Sequence, residues 1–257
     1  MVATNCVGFV AGGGERWTLL RNALHFLSDD EEARLDPVLR LANRRKAHLV
    51  RLAARRSDVL VAPSTAMAER AVRVMPSLRN RMVVRMHPVS SNLIPGVPRE
   101  QFVLCPVLFG SYKDTAERIR ELAVTIDRIG VPSMQVIVTA DAAEVPPALA
   151  AHPRVRLAGQ LKHADLCGLW ARSRAIYFPS ALESFGYPLA EARVSGHPVI
   201  ACDTIQNREI AGPALCGYTP RDDRSLLRAT SLALAAKITP DPGPFDPDAY
   251  FDWLLAS

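Results

Sequence analysis

From Gln101 onward, short apolar runs alternate with longer stretches of helical periodicity, and that alternation leaves few folds open to the chain. The apolar runs stand at Phe102 to Val107, Gln135 to Thr139, Val155 to Leu157, Ala175 to Phe178, Val199 to Cys202 and near Leu215 to Tyr218. Between them Asp114 to Ile129, Ala164 to Ala171, Pro188 to Ser195 and Arg224 to Ala235 read as helices, with a short turn around Arg208. This pattern predicts an α/β fold with a parallel sheet and helices on both faces. Right-handed crossovers bring the loops after Val107, Gly159, Phe178 and Asp203 to one sheet edge, where open α/β sheets take their ligands.

The densest stretch is AIYFPSALESFGYPLAEARVSGHPVIACDTIQNREIAG, from Ala175 to Gly212. Its apolar run ends at Pro179-Ser180, and a Glu-Ser-Phe-Gly turn leads into a helix. Glu183 reads as a loop residue after the strand and Glu191 as lying on the second turn of the helix, so both are expected to point into one crevice. Free backbone N–H groups and the helix dipole favour phosphate there. Carboxylates accept hydrogen bonds from sugar hydroxyls, and Gly186 lets the backbone approach a ligand with no Cβ in the way.

Ser180, Glu183-Ser-Phe-Gly186, Pro188, Glu191-Ala192, Gly196, Pro198-Val199-Ile200, Asp203 and Arg208-Glu209-Ile210 resemble, in that order, the donor-site signature of retaining glycosyltransferases of the GT-B fold, those with a Glu-x7-Glu motif. The resemblance implies a complete C-terminal Rossmann-like domain preceded by a partial N-terminal one. It implies that Glu191 holds the donor ribose, that Glu183 faces the donor hexose, and that the amides around Phe185, Gly186, Tyr187 and Leu189 meet sugar and diphosphate. Family members carry a Gly-Arg pair and a nearby Lys after the first strand of this domain, both reaching the diphosphate. This chain keeps Lys113, in GSYKD, but has Gly110-Ser111-Tyr112 where the arginine is expected. An ammonium there would stabilise charge growing on the leaving diphosphate.

The implied reaction is transfer of a hexosyl or deoxyhexosyl group from a nucleotide sugar to a glycan or lipid-linked acceptor, with retention, without metal and without a cofactor. Retention in this family is attributed to a same-face displacement in which the donor phosphate accepts the acceptor's proton. A glycosidase-like pair of carboxylates and a nucleophile with recognisable flanks are both missing from the sequence. A nicotinamide-dependent oxidoreductase is set aside because the glycine fingerprint is absent. His163 and His197 fall near the same edge but are left out of the site; His197, before Pro198, reads as readily as a turn residue.

With 257 residues, 49% of them hydrophobic and 22% charged, the chain can bury a sizeable core. No apolar run is long enough to span a bilayer, and the first residues lack a basic leader, so a cytoplasmic protein is expected. Cys6, Cys105, Cys167, Cys202 and Cys216 are scattered and read as small buried hydrophobes, not bridges or ligands. The net charge of +5 permits an anionic partner. Much of it sits in residues 36–57, a helix capped by Asp36 with Pro37 in its first turn. There Arg40, Arg44, Arg51 and Arg55 form one stripe, with Leu41, Leu49, Val50, Leu52 and Ala53 around the other side. A solvated face is the plain reading, and peripheral contact with the inner membrane surface is the functional one. Low aromatic content and the lack of a binding motif argue against nucleic acid.

The expected organisation is a partial acceptor-side Rossmann-like domain over 1–88, a linker over 89–100, the nucleotide-sugar domain over 101–240, and a closing helix in 241–257 that crosses back to the first domain. In the first part, Cys6 to Val10 reads as a strand, Gly12 to Gly14 as a turn lacking phosphate-loop spacing, and residues 17–35 as a loop and short helix. Val59 to Val61 and Met82 to Met86 read as strands around a helix capped by Ser64. Fewer than a hundred residues are too few for a whole Rossmann domain, so an exposed sheet edge is expected there. A binding module that holds nucleotide sugar without transfer is the alternative.

Overall fold

The computed structural model describes residues 2–3, 14–90, 97–107, 109 and 114–256. By its contacts the chain divides into two units, one of Met1–His87 with Leu182–Phe185 and one of Pro88–Ala181 with Gly186–Ser257.

The first unit is built on a parallel sheet of β1 (Val2–Ala3), β2 (Trp17–Leu19), β3 (Val59–Ala62) and β4 (Met82–Val84), paired in sequence order. Trp17 stands opposite Val59, and Leu60 opposite Met82. Between β2 and β3 come a short 3-10 turn, α1 (Asp29–Ala33) and α2 (Pro37–Arg56), and α3 (Thr65–Val74) joins β3 to β4. The helix starts follow the sequence. Asp36 accepts from the Val38 and Leu39 amides at 3.0 Å, and Ser64 accepts from Met67 at 3.1 Å. Ser28 and Glu31 close a reciprocal capping box on α1.

Two expectations are corrected here. Trp17–Leu19 is not loop but a wholly buried strand. Its polar middle residue, Thr18, hides it from a periodicity argument; Thr18 Oγ1 is satisfied at 2.8 Å by Ser57 Oγ, 39 residues away. Helix α2 also faces the other way. Asn43, Ala47, Val50 and Ala54 are its buried residues, and Asn43 donates to the Leu24 carbonyl at 2.7 Å. Small residues on this face allow close packing, while Leu41 and Leu49 turn outward at 57% and 61% exposure. Arg51 leaves the proposed stripe to donate to the His25 and Leu27 carbonyls. The strand expected from Cys6 to Val10 lies outside the described residues.

The second unit is a six-stranded parallel sheet of β5 (Phe102–Cys105), β6 (Gln135–Val138), β7 (Val155–Leu157), β8 (Ala175–Phe178), β9 (Val199–Cys202) and β10 (Leu215–Tyr218). The order is β10-β9-β8-β5-β6-β7. Strands β5, β8 and β9 are buried along their whole length, as a sheet covered on both faces requires. The connecting helices are α4 (Thr115–Ile129), α5 (Pro147–Ala150), α6 (His163–Arg172), α7 (Tyr187–Ser195), α8 (Ile205–Ala211) and α9 (Asp223–Ala235). The turn expected around Arg208 is thus a helix, capped by Thr204, whose Oγ1 accepts from the Asn207 amide at 3.1 Å. Helix α4 packs on α9, and α7 on α8. In the core, Tyr177 and Tyr218 stack with hydroxyls 3.0 Å apart, and the Tyr177 hydroxyl reaches the Arg118 carbonyl. The tail, ending in α10 (Pro247–Leu255), belongs to this unit. Asp241 pairs with Arg193 at 2.7 Å, and the Val89 amide donates to the Phe245 carbonyl at 3.0 Å.

Candidate functional site

Sheet order decides where a ligand can enter. Succession moves outward from β5 through β6 to β7, then returns to β8 on the other side of β5, so the order reverses between β5 and β8. The crevice beyond the carboxyl ends of strands at such a reversal is the binding place of open α/β sheets. The loop after β8 and the start of α7 lie there.

Gly186 begins this helix in the left-handed region, at φ 86° and ψ 69°. A Cβ at Gly186 would stand 2.9 Å from Leu189 Cδ1 and 3.4 Å from the Phe178 ring, so glycine is required by conformation and by space. Pro188 occupies the first turn, and the Leu189 amide bonds back to the Gly186 carbonyl at 2.9 Å. Leu189 is fully buried and Tyr187 exposed, so one side chain anchors the turn and the other faces outward. Glu191 follows one turn later, half-buried. Burial pushes its carboxyl above the ordinary carboxylate value, and the charge of His163 pulls it partly back. The structure therefore assembles Gly186, Tyr187, Leu189 and Glu191 as one helix start.

Glu183 and Phe185 belong to the short segment that goes with the first unit. There the Ser184 hydroxyl donates to the Arg21 carbonyl at 2.7 Å, the Ser64 hydroxyl donates to the Ser184 carbonyl at 3.3 Å, and Phe185 meets His87 edge-on at 5.2 Å. Phe185 is buried, so its side chain is structural and only its backbone is available to a ligand. Burial holds His87 down near pKa 4, neutral at physiological pH. Lys113 lies outside the described residues. Directly after it Asp114 takes a left-handed conformation at φ 49°, uncommon for a residue with a Cβ, and starts α4 without a side-chain cap.

Asp203, just after β9, is engaged by Nε and Nη2 of Arg208 at 2.5 and 2.7 Å, which holds its carboxyl below the usual range. That makes Asp203 a brace for α8. His197 is held near pKa 4 by burial and contacts Ser195 at 2.9 Å, a packing role at the far end of α7. A cavity of about 550 Å³ opens beside α4, lined by Phe109, Asp114, Glu117 and Glu144 among others. Three carboxylates make it a poor seat for diphosphate. His163, set aside on sequence grounds, opens α6 and acts electrostatically on the Glu191 carboxyl; its signal was only its place at a helix start on the ligand edge. Among the described residues no cluster of His, Cys, Asp or Glu fits a metal ion.

A doubly wound parallel sheet with this edge is the architecture of GT-B glycosyltransferases, and the solved structures bear this out. A sucrose-phosphate synthase from Thermosynechococcus elongatus superposes with a TM-score of 0.62 at 18% identity, covering 94% of this chain and 68% of that one. A UDP-forming α,α-trehalose-phosphate synthase from Burkholderia vietnamiensis gives 0.62 at 11%, covering 93% and 67%. TarM gives 0.63 at 12%, with 85% of this chain covering 43% of that protein. Residues 103–236, more than half of the chain, match the sequence model of the glycosyl transferases group 1, and the chain belongs to that family. No curated protein sequence matches it.

Proposed function

We propose that the chain is a retaining, metal-independent glycosyltransferase, moving a hexosyl or deoxyhexosyl group from a nucleotide sugar to a glycan or lipid-linked acceptor. Its carrying observation is the glycine-started helix at the point of strand reversal, with Glu191 half-buried one turn in. An ionised carboxylate accepts two hydrogen bonds from a ribose diol, and the helix start favours the adjoining diphosphate. The roles of Glu183 toward the hexose and Lys113 toward the leaving diphosphate rest on their places in the family motif. Thermal unfolding in the presence of UDP-, GDP-, dTDP- and ADP-sugars tests the reading. One member of the panel stabilises the fold by about 2.7 kcal/mol at a hundred times its dissociation constant; a panel without any shift removes donor binding. Stabilisation without transfer to any acceptor favours the binding-module reading.

A lipid-linked acceptor is supported by the outward face of α2. Val38, Leu41, Leu49 and Leu52 are 81%, 57%, 61% and 37% exposed. At 100° per residue they fall in an arc about 80° wide, which also holds exposed Arg45 and Arg56. Apolar side chains interleaved with cations suit an anionic bilayer surface. Flotation with vesicles containing phosphatidylglycerol is therefore expected, and is lost when Leu41 and Leu49 are both changed to Asp. A wild-type chain that stays behind while such vesicles float would dismiss membrane contact. No helix among the described residues is long and apolar enough to cross a membrane.

A further inference from the structure

We infer that His163 is a positioning residue for Glu191: standing on the neighbouring helix, it keeps the carboxylate in the ionised, acceptor-only form that a ribose diol needs. The inference rests on the proposed ribose role of Glu191 and adds a residue that the donor-site motif does not contain.

Helix packing carries the argument. Helices α6 and α7 each leave the carboxyl ends of parallel strands, so they run in the same direction. Trp170 Nε1 donates to Ser195 Oγ at 3.0 Å and pins the two side by side. Ser195 Oγ in turn donates to the Glu191 carbonyl at 2.6 Å, one turn toward the helix start on the same face. On α6, His163 lies seven residues before Trp170, within about 20° of the same face and about 10 Å nearer the start. Side chains lean toward the start of their helix, so the imidazole and the carboxylate converge at the ligand edge. Cys167 Sγ lies 3.6 Å from His163 Nε2, so the ring also meets a titratable group on its own helix.

Physical need completes the case. Glu191 must accept from two hydroxyls, and a protonated carboxyl offers one donor in place of an acceptor. Its half-buried position works against the charge, and a neighbouring imidazole works for it. His163 is itself exposed, so replacing it leaves the core intact.

The test follows the 13C carboxyl resonance of Glu191 with pH, assigned by its disappearance in Glu191→Gln. In His163→Ala and His163→Gln the Glu191 midpoint rises by about half a unit to one unit, a shift reduced by the exposure of the ring. His163→Lys, which places a cation at this position, returns it toward the wild-type value. Affinities for UDP, GDP, dTDP and ADP are then measured on either side of the displaced midpoint. The nucleotide that binds wild type best weakens several-fold in His163→Ala on the acid side and recovers on the alkaline side. An unmoved Glu191 midpoint in His163→Ala overturns the inference whatever the nucleotides do. A moved midpoint, together with unchanged affinity of Glu191→Ala for all four nucleotides, overturns the ribose role itself.

Discussion

Glu191→Ala weakens nucleotide binding by about 1.5–3 kcal/mol, the usual worth of hydrogen bonds to a charged group, or roughly ten- to a hundred-fold in dissociation constant. Calorimetric titration with the free nucleoside diphosphate measures it. Glu183→Gln behaves differently: the bare nucleotide binds as before, while recognition or transfer of the sugar is impaired. Equal losses for nucleotide and nucleotide sugar in both variants would mean that the two roles are exchanged or misassigned. The sign of the Glu191 effect on the unliganded fold is opposite to its effect on binding. Burial raises its carboxyl above the unfolded value, so its contribution to stability is complete below the unfolded pKa and is lost as pH rises through the folded one. At neutral pH the charged side chain is therefore a cost. Glu191→Gln leaves the empty protein as stable as wild type or more so while binding falls, and that advantage shrinks on acidification. A destabilised Glu191→Gln at neutral pH would show that the carboxylate serves the fold instead of a ligand.

Gly196→Ala carries the largest expected loss of stability, about 2–5 kcal/mol. Gly196 ends α7 in the left-handed region at φ 65°, where a residue with a Cβ costs about 1–2 kcal/mol. The new Cβ would also lie 2.7 Å from the Ile238 carbonyl oxygen and 2.9 Å from Pro240 Cδ, and forcing a close-packed site apart costs about 1–3 kcal/mol. Neither neighbour yields easily. The backbone on one side is held by Asp241, paired with Arg193, and on the other the Gly196 carbonyl accepts from Arg99 at 2.8 Å. Urea unfolding should show a lower midpoint at unchanged slope. A change below about 0.5 kcal/mol, the range of ordinary surface substitutions, would mean that the 238–241 segment is free to move away.

The second sheet was legible because its evidence is local. Each of its strands is a compact apolar run, and all six appear where the alternation put them. The starts of α2 and α3 were legible for the same reason, since a cap is a bond between residues two or three apart. Gly186 could be chosen as the glycine that opens α7 because a turn into a helix at the sheet edge asks for a residue without a Cβ. Only the last step, the left-handed backbone at φ 86° with Leu189 Cδ1 2.9 Å from where a Cβ would stand, needed coordinates.

What the tertiary structure decided depends on partners far away in sequence. Trp17–Leu19 is a strand because Thr18 finds Ser57 and because β3 supplies a ladder some forty residues on. The face α2 buries is set by which side chains let it come close, and Ala47, Ala54 and a bonded Asn43 outcompete the larger leucines. Segment Leu182–Phe185 sits inside the motif in sequence yet goes with the first unit, because Ser64 holds the Ser184 carbonyl and the Ser184 hydroxyl donates to the Arg21 carbonyl. His163 lies 28 residues before Glu191 in the chain; the hydrogen bond between Trp170 and Ser195, which ties their helices together, is invisible to the sequence. By itself the sequence determined the second sheet, the starts of α2 and α3 and the helix that follows Gly186, all products of contacts within a turn or a run. Which faces are buried and which helices are tied together were decided by packing, where small side chains and distant hydrogen-bond partners prevail over local pattern.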